Sequence, residues 1–155
     1  MAADFDFISA TDSPALLGLS TPEWTAKAKA QLTVLDYKVH VAANHDDFFA
    51  RFGQVQYEVV VLEELFAATS PSENLSLPWL QNLPMPQRRH AVVVLIGPSF
   101  QSLNTLQAFQ QSVHVVVNPS EIDSLGAIVQ KAAAENDLFL TNFREVQLRV
   151  ARGEK

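Results

Sequence analysis

Glu63 and Glu64 end the apolar run Val59-Val60-Val61-Leu62, and a carboxylate so placed can serve as acid, base or phosphoryl acceptor. Ser20 and Gly97 also follow apolar runs. If those runs are parallel strands, these residues share the crevice at the strand ends, where α/β proteins bind small molecules. One reading is therefore a small-molecule binder or an enzyme with Glu63 or Glu64 as its acid or base. Other chemistries find less support. The four histidines, His40, His45, His90 and His114, fall on four segments without the close spacing of a metal site. His45-Asp46-Asp47 is the compact candidate, and it reads as the polar first turn of a helix. Ser20, Ser99 and Ser120 lack a Gly-x-Ser-x-Gly elbow and are better explained as helix caps. No glycine-rich loop follows a strand, so nucleotide phosphates have no cradle. The preferred expectation is no catalytic residue, no metal and no cofactor.

Composition narrows the class. A chain of 155 residues fits one domain with a real core. Hydrophobic residues at 48% against 18% charged mark a folded globular protein. A formal charge of −6 argues against a nucleic-acid partner, which needs a basic face. Gln87-Arg88-Arg89-His90 is a small basic cluster, read as a solvated loop, with an anion or acidic-partner contact as the alternative. Zero cysteines exclude disulfides and thiolate metal or redox sites. The N-terminal tail, 1–13, carries Asp4, Asp6 and Asp12 without Lys or Arg, unlike a secretory signal. No apolar run approaches the ~18 residues of a membrane span. The expected setting is soluble and cytoplasmic, without a membrane partner.

The elements that must position Glu63 alternate. Apolar runs at 15–19, 38–42, 58–62, 91–96 and 113–117 read as strands, each followed by a segment of helical character. Ser20 or Thr21 can cap the first helix, which carries Pro22 and Glu23 in its first turn and Trp24, Ala28, Leu32 and Leu35 on one face. Asn44 can cap the second, with Phe48, Phe49 and Phe52, and Gly53 ends or interrupts it. Four prolines make 66–89 irregular, with a short helix around 77–83. A helix over 101–111 presents Leu103, Leu106 and Phe109, and the last helix, from near Ser120, buries Ile122, Leu125, Ile128 and Val129. Strands apolar at nearly every residue are buried on both faces, which implies a doubly wound parallel α/β domain with right-handed crossovers.

The run Glu58-Val59-Val60-Val61-Leu62-Glu63 and the pair Asn118-Pro119 resemble the response-regulator receiver (CheY-like) family. The resemblance covers 14–135 and implies a three-layer α/β/α sandwich with a five-stranded sheet of order 2-1-3-4-5, the flavodoxin-like arrangement. It also implies a lost reaction. The acids that hold Mg²⁺ in receivers correspond to Leu19, Ser20 and Thr21, and the phosphate-accepting Asp to Glu63. The hydroxyl residue at the end of strand four corresponds to Ile96, and the phosphate-pairing Lys to Asn118. Phosphoryl transfer needs charge neutralisation, which these residues do not supply. The pattern is that of a pseudo-receiver. Glu63 as a mimic of phospho-aspartate would need a cation, and Asn118 offers none. The preferred reading is a carboxylate that faces solvent or caps a neighbouring helix.

The extension 136–155 continues past the expected end of a receiver. Phe139, Phe143, Val146 and Val150 recur at four, three and four, a seam of the coiled-coil type. Such a helix is marginal alone, so it either folds back on its own domain or pairs with a second copy or partner. The preferred expectation is a non-catalytic protein-interaction module in signalling or regulation that binds a protein partner and forms a homodimer through this helix.

Overall fold

The computed structural model describes residues 11–153. The element order is β1 Ser13–Gly18, α1 Pro22–Val34, β2 Tyr37–Val41, α2 His45–Gln54, β3 Val59–Glu63, α3 Ser76–Gln81, α4 Met85–Arg88, β4 Val92–Ile96, α5 Thr105–Gln111, β5 Val115–Val117 and α6 Leu125–Ala151. A single 3₁₀ turn at Pro71–Glu73 precedes α3, and a 3₁₀ segment at Pro119–Ser124, kinked at Glu121, precedes α6. All strand pairs are parallel, in the order β2-β1-β3-β4-β5, as the resemblance implied. The acidic N-terminal tail lies outside the described residues up to residue 10.

Alternation along the strands divides the core into two layers. Ala15, Leu17, Val59, Val61, Val94 and Ile96 face Ala28 and Leu32 of α1 and Leu125, Val129 and Ala132 of α6. Leu16, Val60, Leu62, Val93 and Leu95 face Phe48, Phe66, Leu80 and Ala108 on the other side. Phe49, Phe52 and Trp79 complete an aromatic cluster between α2 and α3. This is why every residue of β3 and β4 is buried.

Local sequence explains most boundaries. Asn44 caps α2 as expected, its side chain accepting from the Asp47 N–H at 2.8 Å. Gly53 does not stop that helix, which runs one residue further. The irregular segment contains α3 and the short α4, with Pro at the start of α4. Helix α5 is shorter than expected and buries only Ala108, leaving Leu103, Leu106 and Phe109 exposed. The reason is the turn over 97–104, where Phe100 fills the core in their place.

Helix α6 runs without a break from the domain into the extension, 27 residues or ~40 Å. Its start carries no side-chain cap of its own. Gln31 of α1 serves instead, accepting from the Gly126 N–H at 2.6 Å and donating to the Ile122 carbonyl at 2.8 Å.

Candidate functional site

The parallel register sets Gly18 beside Leu62 and Glu63 beside Ile96. The chain leaving β1 therefore passes directly over the end of β3. Glu63 Oε1 accepts from the backbone N–H groups of Ser20, at 3.1 Å, and Thr21, at 3.0 Å. Thr21 is the N-cap residue of α1 and makes no cap bond with its own side chain. The carboxylate, only 6% exposed, thus occupies the N-terminus of α1. The first N–H groups of a helix lack partners within it, and their aligned dipoles favour a negative charge there. Glu63 caps a neighbouring helix rather than facing solvent.

Of the two hydroxyls expected to cap α1, that of Thr21 makes no cap bond and that of Ser20 is used elsewhere. Ser20 Oγ accepts from the Ala67 N–H at 2.7 Å, which holds Ala67 in the left-handed region at φ 47°. Thr25 Oγ1 donates to the Thr21 carbonyl at 3.1 Å. Asn74, buried in the loop after β3, donates from Nδ2 to the carbonyls of Glu63 and Glu64, each at 3.0 Å. Its Oδ1 accepts from the Leu77 N–H at 3.3 Å, so one amide latches the loop to α3. Nothing in the sequence singled out Asn74, because its partners are carbonyls that only the fold brings near.

Glu64 is engaged too. Ser99 Oγ donates to Glu64 Oε1 at 3.0 Å, and a Cβ at Gly97 would come within 2.8 Å of Glu64 Cβ. Gly97 therefore serves the close approach of two strand ends. Ile96 is fully buried. Asn118 donates from Nδ2 to the Phe100 carbonyl at 2.8 Å, while its Oδ1 accepts from the N–H and hydroxyl of Ser120. It ties the loop after β4 to the turn before α6, and Glu63 is not among its partners. The sequence-selected positions do converge at one end of the sheet, each bonded within the fold.

A resident Mg²⁺ does not fit this arrangement. The site offers it backbone N–H donors where a cation needs oxygens, and Glu63 Oε1 already accepts from both. Among the described residues no His, Asp or Glu group has metal-site geometry. His45 instead pairs with Ser76 at 2.8 Å and packs against Phe66. Beside the site lies an open hollow of about 550 Å³ lined by Leu19, Ser20, Thr25, Lys29, Ala43 and Ala67 among others. Neither Glu63 nor Glu64 lines it.

Among the titratable groups with shifted values, Tyr57 and His114 lie away from the site. Burial pushes the Tyr57 hydroxyl up to about 12, partly opposed by Arg51, and it bonds His40 Nδ1 at 2.7 Å. His114 is held below its usual range, first by burial and then by the charge of Arg88. Its Nδ1 accepts from the Val93 N–H at 3.0 Å, splicing the histidine into the edge of β4.

The second candidate site is the seam on α6. Leu140 is the last buried residue of the helix, and Arg89 lies 5.4 Å from the centre of the Phe143 ring. Phe139 stacks on Phe143 with ring centres 6.5 Å apart. Phe139, Val146 and Val150 are exposed, and Phe143 is 39% exposed. The extension packs on the domain as far as Leu140 and Phe143, and beyond Phe143 its seam is exposed.

A parallel sheet of this order, with helices on both faces, is the fold of CheY-like receiver domains. No family model and no curated protein matches the chain. Solved structures do. An orphan response regulator of H. pylori is 15% identical with a TM-score of 0.60, covering 78% of this chain and 96% of its own. A CheY-like protein, TadZ, from Pseudomonas aeruginosa is 13% identical at 0.55, covering 78% and 99%. A response regulator from Burkholderia pseudomallei, solved with a phosphorylated aspartic acid and a calcium ion, is 17% identical at 0.58, covering 92% and 86%. At these identities the likeness establishes the fold. No helix among the described residues is long and apolar enough to cross a membrane.

Proposed function

We propose that the chain is a non-catalytic, receiver-like protein-interaction module of signalling or regulation that has left phosphate chemistry behind. One observation carries the reading: the carboxylate at the acceptor position is consumed as the cap of α1. Buried Ile96 stands where the resemblance expects a hydroxyl, and Asn118, tied to Phe100 and Ser120, stands where it expects a cation. Function then belongs to surfaces. The exposed Leu106 and Phe109 of α5 support a face for a protein partner along α5, β5 and α6. The exposed seam of α6 supports a homodimer through Phe139, Phe143, Val146 and Val150. The net charge of −6 suits a basic partner in the cytoplasm.

Incubation with Mg²⁺ and acetyl phosphate followed by intact-mass measurement tests the lost chemistry. An unchanged mass is expected. A phosphoryl adduct mapped to Glu63 would overturn the proposal.

A further inference from the structure

The heptad on α6 is longer than its exposed part. Leu125, Val129, Ala132, Asn136, Phe139, Phe143, Val146 and Val150 are separated by four and three residues in strict alternation. Leu125, Val129 and Ala132 are sealed against the sheet, and Asn136 Nδ2 donates to the Arg89 carbonyl at 3.4 Å. From Phe139 onward the same stripe is largely exposed, with Arg89 of the domain set over the Phe143 ring. One face of one helix thus changes from sealed to largely exposed near residue 138.

From this we infer that the seam pairs with the seam of a second copy in antiparallel order, with Phe143 level with Val146 of the other copy and Phe139 level with its Val150. The inference rests on the dimer reading above and specifies its geometry. Three observations lead to it. First, a second α6 laid parallel on the seam would have its earlier turns where the first copy's own sheet packs on Leu125, Val129 and Ala132. In antiparallel order the sheet of the second copy lies beyond the last turn of the first copy's α6, clear of Leu125, Val129 and Ala132. Second, in the register stated, each of the four seam residues has a seam residue of the other copy opposite it. Asn136, already bonded to Arg89, falls level with Gly153, where the helix has ended. The overlap therefore begins and ends where the exposed stripe does, over ~18 Å of helix.

Third, charge along the extension is asymmetric. Glu135 and Asp137 lie at its base, and Arg149 and Arg152 at its tip. Parallel pairing would set the tip arginines beside their own copies and the base acids beside theirs. Antiparallel pairing sets the basic tip of each copy beside the acidic base of the other, so opposite charges share each end. The seam residues are 66%, 39%, 55% and 67% exposed in chain order. Together they offer roughly 400 Å² per copy, which for the pair is less than the ~1,200 Å² at the lower end of stable interfaces. Flanking side chains must contribute, and the dimer is expected to dissociate on dilution.

The absence of native cysteine makes a direct test simple. Arg144→Cys and Ala151→Cys each place one spin label on an exposed position of the full chain, at the same point of the heptad. Sedimentation over a wide concentration range gives the mass, and dipolar spectroscopy gives the distance between copies. In antiparallel order the two labels at 144 are offset along the axis by ~1.5 Å and those at 151 by ~20 Å. A clearly longer distance at 151 than at 144 is the expected result. Equal distances at the two positions would show a parallel pair and overturn the inference while leaving the dimer standing. A monomer at every concentration, for the unsubstituted chain and both variants, would overturn the dimer and the inference together.

Discussion

Replacing Glu63 by alanine removes the acceptor for two backbone N–H groups at the start of α1. The site is 6% exposed, so water replaces the carboxylate poorly. A hydrogen bond to a charged group contributes ~1.5–3 kcal/mol, and loss of a helix cap costs ~0.5–2 kcal/mol. Because both bonds share one oxygen, they do not add fully, and a loss of about 3 kcal/mol is expected. For a chain of this size that is a fall in Tm of about 6–12 °C. Glu63→Gln keeps an oxygen acceptor and loses only the charge at the helix N-terminus, for a cost of about 1 kcal/mol. Glu63→Asp, the residue of an active receiver, is shorter by a methylene and should fall between the two. Urea unfolding read by circular dichroism orders the three variants, and amide chemical shifts identify Ser20 and Thr21 as the affected donors. An alanine variant within ~0.5 kcal/mol of the parent would refute the capping role.

Asn74→Ala leaves the Glu63 and Glu64 carbonyls and the Leu77 N–H without their partner, and a loss of about 2–3 kcal/mol in urea unfolding is expected. Tyr57 keeps its proton in the folded state until about pH 12, whereas the unfolded chain releases it near 10. Its contribution is therefore complete below pH 10 and is lost as pH rises toward 12; Tyr57→Phe should unfold with a weaker alkaline dependence than the parent. His114 has the opposite sign. Its folded form resists protonation, so its contribution is present above the unfolded value of 6.5 and declines as pH falls below it. His114→Gln retains an acceptor for the Val93 N–H and should flatten the denaturation midpoint between pH 7 and 5.

The strands were legible because burial on both sheet faces leaves an unbroken apolar run, as in β3 and β4. Asn44 was legible for a related reason, since its cap is made within three residues of itself. The start of α1 was not. Ser20 and Thr21 have the right chemistry to cap it, yet the cap comes from Glu63, 42 residues away, and sequence order cannot reveal which competitor wins. Gln31 capping α6 is a second case of the same kind. The α5 side chains Leu106 and Phe109 show the limit of periodicity, which marks an apolar face without saying whether the fold covers it. The positions Ser20, Thr21, Glu63, Ile96 and Asn118 came from resemblance, and the fold sets them at one end of the sheet. Their roles, which are hydrogen bonds across the strand ends, became visible only with the register.

The claim that Glu63 holds structure in place of metal and phosphate is tested most directly by ¹⁵N–¹H spectra recorded during a Mg²⁺ titration of the full chain. The Ser20, Thr21 and Glu63 amide signals are expected to stay in place up to millimolar metal, and to move when Glu63 is changed to glutamine. A saturable, site-specific shift of those three signals with Mg²⁺ would contradict it.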